Sequence, residues 1–328
     1  MTRAVLGIDV SKATLDVCLE LGPRSKRGTF NNDTKGHHAL YGWVRKACKD
    51  QLPHVCLEAT GQYGDRVAKY LYEQGCPVSM MNPMRIKAHA GAMGKRNKTD
   101  KADAEVITDF CLKQNPPLWS PPPSHLRDLK ALVRRLDDLK NMRTQEKNRL
   151  GSGTETPGVI ASIEAHIDFL EEEIKDMDAQ VQALVDQFAQ LKKQRALLES
   201  IPGIGKLSAA VVLAEIPDIA NFESARQVAA YVGVTPRNHR SGSSVHPNAR
   251  LSKTGNAHLR HALYFPAVVA KNHNPIVREF CQRLTDRGKA PKAVVCAAMR
   301  KLLHIAYGVL KSGQPFDPEY LKKQAVQA

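Results

Sequence analysis

The chain is poor in aromatic residues, in acids, in patterned cysteines and in long apolar runs, and each shortage narrows what it can do. Phe, Trp and Tyr make up only 5% of its 328 residues. That argues against an aromatic stacking platform for single strands as the main mode of nucleic-acid binding. The seven cysteines are an odd number and include no Cys-x-x-Cys. They form neither a zinc site nor a disulfide framework, and most fall in apolar runs, so they are expected to be reduced core residues. No apolar run approaches the roughly 20 residues of a membrane helix. The start, Met-Thr-Arg-Ala-Val-Leu-Gly-Ile-Asp, shows no signal-peptide pattern. A cytoplasmic protein without a membrane partner is expected, nucleoid-associated when active.

Acids are scarce overall: 33 Asp and Glu face 48 Lys and Arg, a net charge of +15. Such an excess predicts a polyanionic partner, of which nucleic acid is the usual one. From Pro236 to Ala328 there are 16 Lys/Arg and 4 Asp/Glu, so this stretch carries +12 of the total. The last third is therefore the main electrostatic footprint. A G-x-x-x-x-G-K-[ST] phosphate loop is absent, which argues against nucleotide hydrolysis.

Against this background, four acids near the start stand out. Asp9 ends the apolar run Ala4-Val5-Leu6-Gly7-Ile8, and Glu58 ends His54-Val55-Cys56-Leu57. An acid closing a buried strand is costly unless hydrogen-bonded or bound to metal. Asp100 and Asp103 are three residues apart, so on a helix they share a face. Oxygen ligands of this kind suit Mg²⁺, and a divalent pair can stabilise the attacking and leaving oxygens of a phosphodiester displacement. Alternative roles exist: Asp100 after Thr99 suits a helix cap, with Asp103 supporting the first turn. Asp16, Glu20, Glu105 and Asp109 compete as neighbouring acids. Lys95, Arg96 and Lys98 just before the acidic pair are placed to bring a phosphate to the metals.

The organisation follows from periodicity. Strands are expected over Val5–Asp9, Thr14–Leu21, Arg27–Asn31, His54–Glu58 and Pro77–Met81. Helices are expected over about Lys35–Lys49 and Asp65–Gln74, with a turn at Asn82-Pro83 and then a helix through Asp100 to about Lys113. Three strands followed by alternating helices and strands is the ribonuclease H order, an α/β domain over residues 1–115. A Pro-rich linker, 116–123, is expected to be stiff. Residues 124–193 read as a coiled-coil helical hairpin, whose second helix keeps apolar spacings of three and four from Ile160 to Leu191 without a break. That helix either folds back on the first or pairs between subunits, and we favour a subunit contact. Residues 194–328 read as a mainly helical domain with a frayed tail from Leu321.

Two motifs of this last domain point to phosphate. Ile201-Pro202-Gly203-Ile204-Gly205-Lys206 has the pattern of a helix-hairpin-helix turn, with glycine N–H groups at a helix start as an anion site. Its bland reading is an ordinary helix–helix turn. Arg237-Asn238-His239-Arg240-Ser241-Gly242-Ser243-Ser244 is a glycine-containing loop with cations before it. Ser243, Ser244 and their neighbours either grip phosphate without reacting, or one serine is a nucleophile activated by a base or metal elsewhere. Arg237, Arg240, Arg250, Lys253 and Arg260 suit a phosphate-binding surface, with Gly203, Gly205 and Lys206.

Together, Gly7-Ile8-Asp9-Val10-Ser11-Lys12, Leu57-Glu58-Ala59-Thr60-Gly61, Asn97-Lys98-Thr99-Asp100 with Asp103, the Ile201–Gly205 turn and Ser241-Gly242-Ser243-Ser244 resemble the DEDD transposases of insertion sequences, relatives of the Piv DNA invertase. The resemblance covers nearly the whole chain. It implies a RuvC-like N-terminal domain, a coiled-coil middle and a C-terminal transposase domain. It also implies that Asp9, Glu58, Asp100 and Asp103 bind Mg²⁺ and that Ser241 attacks DNA to form a transient phosphoserine link. The partners it implies are donor and target DNA and a structured noncoding bridge RNA. Because two duplexes are exchanged, a homodimer assembling to a tetramer on nucleic acid is expected. The rivals are a RuvC-type junction nuclease that uses the same acids with water, a non-enzymatic nucleic-acid-binding protein, and a Piv-like invertase with the same chemistry on a different substrate layout.

Overall fold

The computed structural model describes residues 4–49, 51–59, 61–94, 100–216, 218–237 and 250–320, the side chains of 62, 100–102 and 250 aside. The chain divides into two compact units, Met1–Pro121 and Pro122–Ala328.

Unit 1 is built on a five-stranded sheet in the order β3-β2-β1-β4-β5. β1 (Val5–Val10), β2 (Thr14–Leu21) and β3 (Arg24–Asn31) form an antiparallel meander. The chain then crosses through α1 (Thr34–Cys48) to β4 (His54–Glu58), parallel to β1, and through α2 (Gln62–Glu73) to β5 (Val78–Met81), parallel to β4. Strand residues alternate between faces, and the strands β1, β4 and β5 are buried on both, whereas β3 is largely exposed. Leu6, Ile8, Val55 and Leu57 pack with Leu40 and Val44 of α1 and Val67 and Leu71 of α2. Val5 and Cys56 face the other way, toward α3 (Pro83–Ala92) and α4 (Asp100–Gln114), where Ile86, Ile107 and Phe110 cover them.

The Asn82-Pro83 turn expected from sequence is the start of a ten-residue helix, α3. Asn82 is its N-cap, with the side-chain oxygen accepting from the Met84 N–H at 2.8 Å, and Pro83 opens the first turn. Proline suits that position because its missing N–H has no intrahelical partner there. The Pro-rich segment after α4 is held along β5: the Trp119 N–H donates to the Val78 carbonyl at 2.7 Å, and the Ser79 hydroxyl donates to the Pro117 carbonyl at 2.7 Å. This covers the free edge of the sheet.

Unit 2 is mainly helical. α5 (Ser124–Leu150) and α6 (Pro157–Gln187) form a hairpin within the chain, tied by Lys147 to Glu171 at 2.8 Å and by Glu146 to His166 at 3.1 Å. The apolar repeat runs on to Leu191, but the helix breaks at Phe188, whose φ of −110° and ψ of 112° are extended. There the Phe188 ring stacks on His125 at 4.3 Å. α7 (Ala189–Glu199) continues the apolar spacing after the break, so periodicity alone does not register it. The remaining elements are α8 (Lys206–Glu215), α9 (Ala225–Val232), the short strands β6 (Pro236–Arg237) and β7 (Arg250–Leu251), α10 (Ala257–Ala262), α11 (Tyr264–His273), α12 (Pro275–Asp286) and α13 (Pro291–Ser312). One core joins the lower hairpin, through Leu129, Leu136 and Val185, to the later helices.

Among the described residues α13 is long and apolar enough by composition to cross a membrane, although uninterrupted apolar runs stay short. Val294, Ala298, Met299, Leu302, Leu303, Ala306 and Val309 are buried in the unit's core. That packing accounts for the apolar character of the helix. All seven cysteines are free, and six are buried.

Candidate active site

Three features of the fold carry acids to one edge of unit 1. First, β1 and β4 are adjacent and parallel, with Ile8 level with Leu57. Asp9 and Glu58 are the next residues along, so both lie at the same end of their strands, Glu58 last in β4 and Asp9 one residue before the end of β1. Both are half-buried. Second, they point to the same face. A Cβ at Gly7 would collide with Thr108 Oγ1 and lie 2.6 Å from the Ala104 carbonyl oxygen, so Gly7 faces α4. Asp9, two residues on, faces that way too. Cys56 lies in the cluster under α4, and Glu58 shares its face. Glycine at position 7 is thus what lets α4 lie directly on β1.

Third, α4 runs antiparallel to these strands. Cys111 Sγ lies 3.4 Å from His54 Nδ1 at the start of β4, whereas the Thr108 hydroxyl donates to the Cys18 carbonyl at 3.0 Å, opposite Gly7. Moving back along α4 therefore leads toward the strand ends. From Thr108 to Asp103 is about 7.5 Å at helical rise, and from Gly7 to Asp9 is about 6.7 Å along a strand. Asp103, half-buried, is thereby level with Asp9. The helix opens at Asp100, whose side chain lies outside the described residues.

The competing acids separate. Asp109 accepts from His89 at 2.7 Å and pairs with Lys113 at 2.8 Å. Burial alone would raise its carboxyl; these two partners outweigh it and hold the group below its usual range. Glu105 pairs with Arg27 of β3 at 2.5 Å. Asp16 sits directly across β1–β2 from Asp9 and accepts from the Thr29 hydroxyl at 2.6 Å. The donor set at the edge is oxygen only, which suits a hard divalent cation. Among the described side chains no three ligating groups form a ready-made metal cluster.

In unit 2, Gly205 is exposed and begins α8, with exposed Lys206 after it. Gly203 is turned inward at φ +110°, where a Cβ would lie 2.7 Å from the Ala270 Cβ of α11. Arg237 and Lys253 are exposed. Arg260 Nη1 donates to the Val232 carbonyl at the end of α9 at 3.0 Å. Arg250 lies in β7, its side chain outside the described residues. Lys95, Arg96, Lys98, Arg240, Ser241, Ser243 and Ser244 also lie outside them.

Sequence reasoning missed Glu215, the end of α8, which is 1% exposed. Arg134 of α5 donates to it from Nε at 2.7 Å and from Nη2 at 3.1 Å, and Asn256 Nδ2 donates at 2.7 Å. Burial works to raise this carboxyl, but these bonds and the Lys130 and Arg134 charges leave it lowered. No local signal reports it, since Arg134 is 81 residues away.

Comparison with known proteins decides the family. A model described as Transposase IS116/IS110/IS902 family matches residues 195–282, and a DEDD transposase model of the IS110 type matches 6–153. The chain is 33% identical to the pilin gene-inverting protein of Moraxella bovis over 97% of its own length and 98% of that protein's. The chain belongs to the IS116/IS110/IS902 transposase family. It is a DNA recombinase or transposase. The counterpart from Moraxella lacunata is also 33% identical, over 97% of this chain and 98% of the relative. Among solved structures, RuvC of T. thermophilus in complex with a Holliday junction substrate matches with a TM-score of 0.24 at 16% identity, covering 34% of this chain and 96% of that one.

Proposed function

We propose that this transposase family member exchanges DNA strands through a serine nucleophile assisted by Mg²⁺. The observation that carries the reading is the pair Asp9 and Glu58, at the same end of adjacent parallel strands on the face that α4 covers with Asp103. With Asp100, these acids would hold Mg²⁺. The ion would neutralise charge on the phosphate being attacked.

The chain's own residues supply the rest. Ser241 Oγ attacks phosphorus and gives up its proton, and a phosphoserine ester forms as the DNA oxygen leaves as a hydroxyl. A hydroxyl of the partner DNA then attacks that ester and restores the serine. One phosphoester is exchanged for another, so no nucleotide hydrolysis is needed. Lys95, Arg96 and Lys98 steer phosphate toward the acids, and Arg237, Arg240, Ser243, Ser244, Arg250, Lys253 and Arg260 hold the backbone beside the serine. Gly205 and Lys206 offer a further phosphate contact at the start of α8. The family resemblance and the basic charge support a structured bridge RNA as guide. Two duplexes need several active sites, which supports a dimer that becomes a tetramer on nucleic acid.

A second reading keeps this chemistry and changes the outcome to inversion of a segment. The full-length similarity to pilin gene-inverting proteins favours it. Reporter substrates carrying the recombination ends in direct or inverted orientation separate excision from inversion.

The test of the chemistry is a trapped adduct. Protein, Mg²⁺, RNA and nicked donor DNA are incubated, denatured and searched for DNA bound to protein. The wild type yields an adduct at Ser241, and Ser241→Ala abolishes the adduct and strand exchange while binding persists. Normal recombination by Ser241→Ala refutes the nucleophile, and cleavage without an adduct assigns the attack to water.

A further inference from the structure

A cleft of about 890 Å³ opens in unit 2 between the end of α12, the face of α13 and the strands β6 and β7. Its volume is in the range of ligand sites. Phe280, Leu284, Val234 and Leu251 give it apolar walls, while Lys289, Lys292, Arg300, Lys301 and His304 give it charge, and no acid is among the described residues that line it. Arg300 and His304 are one helical turn apart on α13. Arg300 Nε and His304 Nε2 are buried there without a hydrogen-bond partner among the described residues. A buried polar nitrogen without a partner is destabilising, so two on one wall suit a ligand that supplies the missing hydrogen bonds. His304 is shifted to a lower pKa by burial and then by the Arg300, Lys301 and Arg226 charges, so cations surround this wall of the cleft.

The position is as informative as the chemistry. Pro236 of β6 and Leu251 of β7 line the cleft, and these paired strands are the two ends of the stretch that carries Ser241. A site that joins apolar walls to the Arg300 guanidinium and a neighbouring imidazole nitrogen is suited to a nucleotide, base against carbon and phosphate against nitrogen.

We infer that this cleft binds one unpaired nucleotide of the DNA strand that Ser241 attacks, with its phosphate on Arg300 and His304. The choice of DNA over RNA rests on the proposed role of Ser241.

Cys296 lines the cleft and is the only one of the seven cysteines that is not buried, so it serves as a local probe. The full-length protein is alkylated with iodoacetamide, and modification of Cys296 is followed by mass spectrometry. A single-stranded oligodeoxynucleotide is added in one arm and an oligoribonucleotide of the same sequence in the other. DNA at ten times its dissociation constant should slow the modification about tenfold by mass action, and RNA should leave it unchanged. In parallel, Arg300→Gln or His304→Gln should weaken DNA binding about tenfold, as loss of a charge-assisted phosphate contact does. For Arg300→Gln the slope of log affinity against log salt should also fall by about one. Unchanged Cys296 reactivity with DNA bound overturns the site, as does wild-type affinity in both variants. Protection by RNA alone overturns the assignment to DNA. If a variant fails to fold, the wild-type alkylation decides. Ser241→Ala separates the two readings: it should keep the DNA protection of Cys296, and it loses the adduct only if the serine is the nucleophile.

Discussion

Glu58 and Glu215 end elements that look alike in the sequence, Val-Cys-Leu-Glu and Val-Leu-Ala-Glu, yet the fold treats them in opposite ways. Glu58 closes a parallel strand beside Asp9 and stays half-buried at the C-terminal end of that strand. Glu215 closes a helix, where the helix dipole already disfavours a negative charge, and it is 1% exposed. Unit 2 compensates with a two-pronged Arg134, a donor from Asn256 and the more distant Lys130. That carboxylate is fully engaged in joining α5, α8 and α10. Burial of an acid is therefore not a sign of chemistry by itself. What distinguishes the unit 1 acids is convergence: two strand ends and one helix start, brought level by register.

The sharpest break in the comparison is Glu58→Gln. It keeps the shape and removes the charge. If the acids support phosphoryl transfer, several kcal/mol of transition-state stabilisation is lost, and strand exchange falls about 10³-fold with little change in melting temperature. Wild-type exchange rates in this variant would remove Glu58 from the mechanism.

Glu215→Ala should do the reverse. Removing the buried acceptor costs about 1–3 kcal/mol, because Arg134, 36% exposed, and Asn256 lose their bonds to it. The thermal transition of unit 2 should shift down, while exchange at a permissive temperature persists. The double variant Arg134→Met/Glu215→Leu should recover much of the loss, since well-packed apolar residues often replace a buried ion pair without penalty. A Glu215→Ala protein that melts like the wild type would show that the pair is dispensable.

The same contrast explains what was legible in the sequence. Strands β2 and β4 have their expected bounds, because alternation and apolar runs are local. Helix α3 was readable as a turn only until its Asn82-Pro83 start is recognised as a cap followed by a first-turn proline. Asn274-Pro275 repeats that signal at α12: Asn274 is fully buried, and its Oδ1 accepts from the Ile276 and Val277 N–H groups at 3.2 Å each. The break at Phe188 was hidden by the continuing heptad spacing. The strand-end acids were legible because a short apolar run fixes where the acid falls. Glu215, and the cleft of Arg300 and His304, were not, because their partners come from elements far apart in the chain.

The smallest effect expected from the comparison is in pH. The Glu215 carboxyl is lowered in the folded protein, so its charged form is favoured by folding. Its contribution is present in full above the unfolded value of about 4.3. As pH falls below that, the unfolded chain takes up the proton first, and the stability is lost progressively until pH passes the folded value. The slope for one proton is at most about 1.4 kcal/mol per pH unit. Glu215→Gln, less stable at neutral pH, should therefore lose less on acidification than the wild type. Melting temperatures measured from pH 6 to 3 should converge as the pH falls. Asp109 is also lowered, but it lies in unit 1 and is unchanged between the two proteins, so it cancels in the difference. Parallel curves would mean that Arg134 and Asn256 hold Glu215 no more strongly in the folded chain than water holds it in the unfolded one.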